Sequence, residues 1–398
     1  MKTIQLREGK QRSLQRRHPW VFQGSVQRGA ADAGETVKVV SQAGEFLAWG
    51  AYSPASMFRV RAWSFDEAQR IDAAFFKARL QTAVTLRTRM GIASDGVRLV
   101  HAEADGLPGL IVDRYGEVLS AQFLSAGSER WREVIADALC QVTGLTRLYE
   151  RSDASVRAQE GLAPRTGWLR GDGGTALEIT EHGWSLGLDV ATGHKTGYYL
   201  DQRENRRRFA ELVRQLGCKS VLNTYCYTGG FSVAALAGGA QQVVSVDSSG
   251  PALALARANL LRNGHAALID SGAAEFADAD VNAWLRQALA AGRRFDAIVL
   301  DPPKFAPTAA HAERAARAYK DINRLALMLL NPGGLLLTFS CSGGISADLF
   351  HKIVAGAAAD AGADGAILQR LEGACDHPTT MEFPEGEYLK GLAILKQA

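Results

Sequence analysis

The sequence predicts a multi-domain α/β protein in which residues 186–398 form a Rossmann-like sheet of seven strands. Short apolar runs alternate with helix-forming segments along this part of the chain, which predicts a mostly parallel sheet with helices on both faces. The last two apolar runs are separated only by residues 376–387, which show no helical pattern. We therefore expect the last strand to be antiparallel to its neighbours, as one arm of a hairpin.

The same alternation places each element of this sheet. Strands are expected near residues 220–223, 242–246, 267–270, 295–300, 334–339, 366–371 and 388–395. Helices are expected near residues 202–216, 230–238, 251–263, 281–291, 311–330 and 346–361. Ligands of such sheets bind beyond the carboxyl ends of the strands, so the residues that follow each strand are the first candidates for a functional site.

Two smaller domains are expected before the Rossmann-like domain. Residues 1–70 predict a small all-β domain, because turn residues separate short β-prone runs at 36–40, 46–49 and 58–63. Residues 71–185 predict a central α+β domain, with a helix near 70–90 and strands near 97–102, 110–113, 117–123 and 147–150. The central domain shows no pattern typical of catalysis, so we expect a spacer or a wall of a substrate groove.

The composition is that of a globular protein, with 47% apolar and 22% charged residues among 398. No run approaches 18 apolar residues, and the N-terminus lacks the apolar core of a signal peptide. Five cysteines without scaffold spacing indicate reduced thiols rather than disulfides. We therefore expect a cytoplasmic protein without membrane contact. The sequence shows no CxxC pair or His/Cys cluster, and no metal is expected.

Positive charge is concentrated near the N-terminus. Residues 1–90 contain 15 Lys and Arg against 7 Asp and Glu, a balance of +8, whereas the rest of the chain has a balance of −5. This asymmetry favours a polyanion as the partner of the N-terminal part. Its densest cluster, Lys10, Arg12, Arg16 and Arg17, precedes His18-Pro19-Trp20 and suits phosphate contact and base stacking in RNA. Solvated surface charge is the alternative interpretation.

A loop at residues 223–230, Asn-Thr-Tyr-Cys-Tyr-Thr-Gly-Gly, indicates a nucleoside site. It lies between a predicted strand and helix, and the next strand ends at Asp247, whose carboxylate is placed to bind both hydroxyls of a ribose. The adjacent glycines allow a ligand to approach the backbone. Bulky Tyr225 and Tyr227 leave no cradle for a pyrophosphate, so S-adenosylmethionine fits better than a dinucleotide. An ordinary tight turn is the alternative.

The fourth strand of this sheet delivers Asp301-Pro302-Pro303-Lys304-Phe305. Two prolines hold a rigid, extended turn and aim the preceding carboxylate into the crevice. This turn is typical of enzymes that methylate a nucleobase. A simple strand-terminating turn is the alternative.

The fifth strand delivers Cys341, between Ser340 and Ser342 and ahead of two glycines. A thiol at this edge is a candidate nucleophile if nearby groups favour its thiolate, although a packed, inert thiol remains the alternative. Cys226 is the competing cysteine, and we expect it to line the cofactor site instead. Methylation at carbon 5 of a pyrimidine requires such a thiolate, because carbon 5 attacks a sulfonium only after sulfur has added to carbon 6.

In this scheme Asp301 stabilises the adduct, and a base then removes the carbon 5 proton. His377 and Glu385 are candidates for that base by location alone. The target base must be unstacked to reach Cys341, so single-stranded or flipped-out RNA is expected. Ahead of the sheet, residues 193–203 include Tyr198 and Gln202, which are placed to hold the cofactor; a loop that joins two domains is the alternative there.

These motifs together resemble the ribosomal RNA large subunit methyltransferase I family, the bacterial 23S rRNA cytosine-C5 methyltransferases. The resemblance covers essentially the whole chain. Its carriers are Arg16–Phe22, Tyr52-Ser53-Pro54, Gly193–Arg203, Tyr227–Phe231, Asp301–Phe305, Tyr319–Asn323, Ser340–Gly343, Pro384-Glu385-Gly386 and Tyr388–Gly391. Residues 223–226 depart from the form associated with the family.

The resemblance implies an N-terminal PUA domain that binds RNA, a small central domain and a class I S-adenosylmethionine-dependent domain. It implies methylation of cytosine 1962 of 23S rRNA. Cys341 is implied as the nucleophile, since Lys304 stands where other RNA cytosine methyltransferases carry a cysteine. A homodimer is a further expectation.

The expected site residues follow from these motifs and from the resemblance. For the cofactor they are Tyr198, Gln202, Asn223, Tyr225, Tyr227, Thr228, Gly229, Gly230, Asp247, Ser248, Asp280 and Asp301. For RNA they are Lys10, Arg12, Arg16, Arg17 and Lys304. Two rival functions stay open: methylation of an exocyclic amine in rRNA, and a non-catalytic rRNA-binding assembly factor.

Overall fold

A computed structural model describes residues 2–305 and 312–397 of the protein. The chain divides into two compact units. Unit 1 comprises Met1–Ile179, Leu188–Leu200 and Cys375–Gly386, and unit 2 comprises Thr180–Gly187, Asp201–Ala374 and Glu387–Ala398. Among the described residues, no helix has the length and apolar character needed to cross a membrane.

The N-terminal part of unit 1 is a six-stranded sheet, which confirms the predicted all-β domain. Its elements are β1 (Thr3–Leu6), α1 (Arg12–Gln15), β2 (Trp20–Phe22), β3 (Val26–Arg28), β4 (Thr36–Val40), β5 (Phe46–Tyr52) and β6 (Phe58–Ser64). The strand order is β2-β6-β5-β4-β1-β3. The sequence predicted β4 to β6 but not β1 to β3, because strands of only three or four residues are too short for an alternating pattern to be detected.

The rest of unit 1 contains a five-stranded sheet with the order β11-β10-β9-β8-β7. Helices α2 and α4 pack on it through Phe76, Leu80, Ile135 and Leu139. The elements are α2 (Ala73–Arg89), β7 (Gly96–His101), β8 (Leu110–Tyr115), β9 (Val118–Phe123), α3 (Ala126–Arg130), α4 (Arg132–Thr143), β10 (Arg147–Ser152), α5 (Val156–Gln159) and β11 (Arg165–Arg170). Strands β12 (Ala176–Glu181) and β13 (Trp184–Asp189) then form a two-stranded sheet.

Unit 2 contains the predicted alternation of strands and helices. The elements are α6 (Arg203–Leu216), β14 (Ser220–Thr224), α7 (Gly230–Ala237), β15 (Gln242–Asp247), α8 (Gly250–Arg262), α9 (Ala266–Asp270), β16 (Ala274–Asp278), α10 (Val281–Ala290), β17 (Phe295–Leu300), α11 (Ala312–Leu329), β18 (Leu330–Ser340), α12 (Ala347–Ala361), β19 (Gly365–Leu371) and β20 (Lys390–Lys396). Residue 311, the predicted start of α11, lies outside the described residues.

The seven strands of unit 2 have the order β16-β15-β14-β17-β18-β20-β19. Strands β14 to β18 pair in parallel, whereas β20 is antiparallel to both β18 and β19. The reversed last strand is therefore confirmed. The central strands are almost wholly apolar, and Leu222, Ile298 and Leu336 are fully buried between the helical layers.

The predicted position of the third strand of this sheet is wrong. Residues 267–270 belong to helix α9, and the strand is β16, Ala274–Asp278. β16 lies at the edge of the sheet, where half-buried positions need fewer apolar residues, so its sequence AEFAD shows little strand character. The apolar run Ala266–Ile269 contains good helix formers and packs as a single helical turn.

Candidate active site at the carboxyl edge of the unit 2 sheet

Three neighbouring strands of unit 2 end at the same edge of the sheet. β14, β17 and β18 are adjacent and parallel, so the loops that follow them lie side by side. These loops contain residues 225–229, 301–305 and 341–346. Segments that are far apart in sequence are thereby brought to one edge of the sheet.

The loop after β14 is held against the end of β15. Two of its residues, Tyr225 and Tyr227, have positive φ angles of 52° and 47°. Such a conformation is costly for bulky residues, and here hydrogen bonds hold it. The backbone N–H of Tyr227 donates to Asp247 Oδ2 at 2.8 Å, and the N–H of Cys226 donates to Val246 O at 3.1 Å. Asp247 is thus a structural anchor of the loop as well as a ligand candidate.

Gly229 packs closely against α8, and its expected role in the approach of a ligand stays a prediction. Its φ is +77°, and a Cβ there would lie 2.9 Å from the Cβ of Ala256 in α8. Gly230 is the first residue of α7, so its N–H belongs to the set of donors at a helix N-terminus that an anion can accept.

Two buried side-chain oxygens, one in this loop and one at the end of β14, suit a polar ligand such as S-adenosylmethionine. Thr228 is 2% exposed, and its hydroxyl has no hydrogen-bond partner among the described residues. The same holds for Asn223 Oδ1, although the amide nitrogen of Asn223 donates to Ser232 Oγ at 2.9 Å. Ser232 Oγ lies 2.8 Å from Ser245 Oγ, so sequence reasoning missed two hydroxyls that hold Asn223. Buried polar atoms of this kind call for a polar ligand.

The carboxylates near the ends of β15 and β16 have distinct surroundings. Asp247 is half-buried, and its Oδ1 accepts from the N–H of Ser249 at 3.0 Å, whereas Ser248 is exposed. Asp280 is exposed and caps α10 by accepting from the N–H of Ala283 at 2.9 Å. Burial, together with the negative charge of Asp280, raises the pKa of Tyr225.

Corrected strand pairing adds a further carboxylate to this edge. Asp278 is opposite Asp247 in the β15–β16 ladder. Because the third strand was predicted at residues 267–270, the sequence analysis did not identify Asp278 as a candidate. A carboxylate that directly ends an edge strand was the signal that could have found it.

Asp301 is oriented by two buried amides. Gln202 Nε2 donates to Asp301 Oδ2 at 3.0 Å, and Gln202 Oε1 accepts from Asn205 Nδ2 at 2.6 Å. Asn205 also donates to the carbonyl oxygen of Glu372 at 3.0 Å. Gln202 is 2% exposed, so the residue predicted to bind the cofactor also positions the carboxylate. Sequence reasoning missed Asn205, which lies one helical turn beyond Gln202.

Cys341 is a half-buried thiol next to the Asp-Pro-Pro turn, since its Sγ lies 4.0 Å from the carbonyl oxygen of Pro302. The flanking Ser340 and Ser342 are fully buried. Ser342 Oγ lies 3.0 Å from the hydroxyl of Tyr319, which reaches it from α11. The predicted partners Asp301 and Cys341 therefore belong to adjoining loops.

Lys390 is a further residue of this site to which the sequence analysis assigned no role. Its Nζ donates to the carbonyl oxygens of Ser342 and Tyr388, both at 2.8 Å. Lys390 and Tyr319 both stand in motifs that carry the family resemblance, and the position of Lys390 at the start of the last strand was the available signal.

The other cysteines of unit 2 have unreactive surroundings. Burial, with the negative charge of Asp247, raises the pKa of the Cys226 thiol well above its usual range. Burial also raises the pKa of Cys218 to about 11. Both therefore remain neutral thiols near pH 7, and a thiol is a poor nucleophile compared with a thiolate. Cys341 is the unit 2 cysteine that adjoins Asp301.

Three residues predicted to bind the cofactor or to remove the carbon 5 proton belong to unit 1. Tyr198 is 2% exposed, and its N–H donates to the hydroxyl of Tyr115 at 3.1 Å. His377 Nδ1 lies 2.9 Å from Asp376 Oδ1, and Glu385 Oε2 lies 3.4 Å from His18 Nε2. A role in cofactor binding for Tyr198, and in proton removal for His377 or Glu385, stays a prediction.

The cations predicted to bind RNA are all exposed: Lys10, Arg12, Arg16, Arg17 and Lys304. Trp20 is half-buried and packs within unit 1. Its ring centroid lies 4.3 Å from that of Phe58 and 4.6 Å from that of Phe383, and its Nε1 donates to Glu103 Oε1 at 2.8 Å. The expected stacking of a base on Trp20 stays a prediction.

An exposed aromatic residue lies elsewhere in the N-terminal domain. Phe22 is 45% exposed and Met57 is 71% exposed. Both line a cavity of about 550 Å³ together with Arg7, Tyr52 and Arg59. Among the described residues of both units, no group of His, Cys, Asp and Glu is arranged to hold a metal ion.

Comparison with family models assigns both parts of the chain. Residues 154–394 match the model of S-adenosylmethionine-dependent methyltransferases, and residues 4–65 match a PUA-like domain. Two solved structures share the fold. One is a candidate SAM-dependent methyltransferase from Streptococcus mutans, with a TM-score of 0.84, 21% identity and coverage of 99% of this chain and 100% of that one. The other is a candidate methyltransferase complexed with SAH, with a TM-score of 0.85, 22% identity and the same coverage.

Two curated relatives are much closer in sequence. Ribosomal RNA large subunit methyltransferase I of Klebsiella pneumoniae is 49% identical over 395 residues, which cover 98% of this chain and 96% of the relative. The protein of the same name from Salmonella newport is 48% identical over 396 residues, with the same coverage. The chain therefore belongs to the ribosomal RNA large subunit methyltransferase I family, whose members are S-adenosylmethionine-dependent rRNA methyltransferases with an N-terminal PUA-like domain.

Proposed function

We propose that this rRNA methyltransferase acts on carbon 5 of a cytosine in 23S rRNA, through a covalent adduct with Cys341. The observation that carries the proposal is the placement of Cys341 Sγ 4.0 Å from the carbonyl oxygen of Pro302, in the loop that follows Asp301. A nucleophile and a carboxylate on adjoining loops are what carbon 5 chemistry requires. The family target, cytosine 1962, is the proposed substrate position.

The cofactor would be held by the loop after β14 and by the ends of β15 and β16. The hydroxyl of Thr228 and the first N–H groups of α7 suit the methionine carboxylate, while Asp247 suits the ribose hydroxyls. Asp280 follows β16 and Tyr225 follows β14, at the same edge of the sheet, where an adenosine would extend. Bound S-adenosylmethionine supplies an electrophilic methyl group.

The protein's own groups would perform the remaining steps. The Cys341 thiolate adds to carbon 6 of the cytosine, which makes carbon 5 a nucleophile that accepts the methyl group. Asp301, held by Gln202, hydrogen-bonds the ring N3 or the exocyclic amine and stabilises the adduct. A base then removes the carbon 5 proton, and the electron pair of that bond expels the thiolate. The base has to reach an unstacked, single-stranded or flipped-out nucleotide.

The nearest rival is methylation of an exocyclic amine, for which the Asp-Pro-Pro turn would suffice without a thiol. The two functions differ in the product and in the need for sulfur. The proposed location in the cytoplasm is shared by both.

The deciding experiment uses purified protein, labelled S-adenosylmethionine and protein-free 23S rRNA, followed by digestion to nucleosides. We expect labelled 5-methylcytidine from the wild type and none from Cys341→Ala. Cys218→Ala, ahead of β14 and at the opposite end of that strand from the cofactor loop, is the matched control and should retain the product. Formation of a methylated exocyclic amine, or full activity of Cys341→Ala, would contradict the proposal. Calorimetric binding of S-adenosylmethionine to each variant separates a loss of chemistry from a loss of the cofactor site.

A further inference from the structure

Lys390 lies beside the proposed nucleophile in the sheet itself. β18 and β20 pair antiparallel, and their ladder sets Lys390 directly opposite Ser340. Ser340 immediately precedes Cys341, so the strand register alone places the lysine next to the loop that carries the thiol. The backbone therefore determines this proximity, and it does not depend on a long, mobile side chain.

The Lys390 ammonium also bonds to the residue on the other side of Cys341. Nζ donates to the carbonyl oxygen of Ser342 at 2.8 Å and to that of Tyr388 at 2.8 Å. An ammonium group has three N–H donors, so these two carbonyls leave capacity for one further acceptor. Lys390 thus brackets Cys341, with its backbone paired to the preceding residue and its side chain bonded to the following one.

The electrostatic surroundings support an interaction with sulfur. Burial lowers the pKa of Lys390, and the charges of Cys341 and Glu387 oppose that effect, whereas Lys304 adds to it. The hydroxyl of Tyr319 lies 3.0 Å from Ser342 Oγ, and burial and the charge of Cys341 both raise the pKa of Tyr319. Of the two lysines, Lys390 is half-buried and Lys304 is exposed to solvent.

We infer that Lys390 is a positioning residue that stabilises the thiolate form of Cys341 and orients it toward the Asp301 turn. The inference rests on the proposed role of Cys341 as nucleophile. A cation close to sulfur favours the thiolate at neutral pH, and a half-buried cation is screened less by water and salt than an exposed one. The ammonium would compensate the charge of Cys341 before addition to carbon 6 and again when the thiolate leaves.

The same strand contains a matched control. Lys396 Nζ also donates to two carbonyl oxygens, those of Leu327 and Leu330, both at 2.9 Å. Burial lowers the pKa of Lys396 as well. Lys396 is at the opposite end of β20 from Lys390, six residues further along the chain. Lys396→Met therefore removes an equivalent cation and equivalent hydrogen bonds far from Cys341.

The experiment measures the rate of iodoacetamide alkylation of Cys341 as a function of pH, by mass spectrometry of the Cys341 peptide in the full chain. Removal of the cation in Lys390→Met should raise the midpoint of the alkylation profile by about one pH unit or more. Lys390→Gln, which keeps a donor for one carbonyl but has no charge, should give a similar shift. Lys390→Arg and Lys396→Met should retain the wild-type midpoint.

Several outcomes overturn the inference. One is a wild-type midpoint at or above the value of about 8.5 for an unperturbed cysteine. Others are an unchanged midpoint in both neutral variants, or an equal shift in Lys396→Met. Because Lys390→Met risks a loss of folding, thermal melting accompanies each profile, and Lys390→Gln decides if the Met variant is unfolded.

The proposed function is tested separately from this inference. Alkylation needs neither RNA nor S-adenosylmethionine, so a normal thiolate with full activity of Cys341→Ala would contradict the carbon 5 mechanism alone. Conversely, loss of 5-methylcytidine in Cys341→Ala together with an unshifted midpoint in Lys390→Gln would contradict the role of Lys390 alone.

Discussion

The sulfur of Cys341 lies 4.0 Å from the carbonyl oxygen of Pro302. This contact connects the end of β18 with the turn after β17. Strand pairing produces this proximity, because Leu300 and Thr338 are opposite each other in the parallel ladder. Asp301 directly follows Leu300 and Cys341 lies three residues after Thr338, so both emerge at one edge of the sheet. A base that contacts Asp301 is brought to the thiol by the same geometry.

A covalent adduct is the first prediction. RNA that contains 5-fluorocytosine should form a stable complex with the wild-type protein and S-adenosylmethionine, because fluorine at carbon 5 cannot leave as a proton does. The complex should survive denaturing electrophoresis, and peptide mass spectrometry should locate RNA on Cys341. Cys341→Ala should form none, while Cys218→Ala should form it normally. An adduct on another cysteine would refute the assignment.

Loss of the Asp301 charge is expected to slow chemistry rather than folding. Asp301→Asn keeps an oxygen that can accept from Gln202 Nε2 but cannot compensate charge on the cytosine ring. The single-turnover rate of methyl transfer should fall by about 10²–10³-fold, the usual effect of removing one transition-state contact. Asp348→Asn, on the exposed surface of α12, is the control and should leave that rate unchanged. A decrease of less than tenfold would argue against a role for Asp301 in the reaction.

Removal of Asp247 is expected to weaken cofactor binding. Asp247→Ala loses the ribose acceptor and leaves the N–H groups of Tyr227 and Ser249 without their partner. Hydrogen bonds to a charged group contribute about 1.5–3 kcal/mol each, so the Kd for S-adenosylmethionine should rise by at least about tenfold. Isothermal titration calorimetry measures it, with Asp270→Ala on exposed α9 as the control. Unchanged affinity would show that the cofactor lies elsewhere.

The N-terminal cations are expected to act through RNA phosphates. Replacement of Arg16 and Arg17 by alanine should weaken binding of single-stranded rRNA fragments and reduce the slope of log K against log salt by about 0.7 per lost contact. Filter binding at four salt concentrations measures the slope. The double variant Lys352→Ala and Arg317→Ala, at exposed sites in unit 2, should keep the wild-type slope. An unaltered slope in the N-terminal variant would assign these arginines to solvated surface.

Asp296 connects stability to pH. Burial alone would raise its pKa, but hydrogen bonds from Ser220, Asn331 and Lys219 outweigh burial and hold the pKa below its usual value. A carboxylate with a lowered folded-state pKa stabilises the protein above its unfolded-state pKa of about 3.9, and this contribution is lost as pH falls through the folded value. Asp296→Asn should therefore lower the Tm at pH 7, and the difference from wild type should shrink below about pH 4.

Differential scanning fluorimetry across pH measures this effect. Asp270→Asn, which replaces an exposed carboxylate on α9, should track the wild type at every pH. A Tm difference for Asp296→Asn that stays constant down to about pH 3 would show that packing, and not charge, accounts for the loss.

Local pattern determined most of the fold of unit 2. The alternation of apolar runs and helix formers predicted six of the seven strands and the reversal of the last one. The same reasoning failed at β16, because an edge strand with the sequence AEFAD buries too little apolar surface to impose a pattern. It also did not reveal the packing of Trp20, since nothing within residues 16–22 shows that Phe58 and Phe383 pack against the indole.

The sequence by itself determined the chemistry that the protein carries: a glycine-containing loop before Asp247, an Asp-Pro-Pro turn, and a cysteine at a strand end. Each is a local motif whose role follows from its position after a strand. The tertiary structure decided what surrounds those groups. Gln202, immediately before α6, reaches Asp301, and Lys390 reaches the Cys341 loop from β20, through contacts between residues 48 or more positions apart. Such partners are set by strand order and register, which no short window of sequence contains, because pairing depends on which strands share an edge after the sheet has formed.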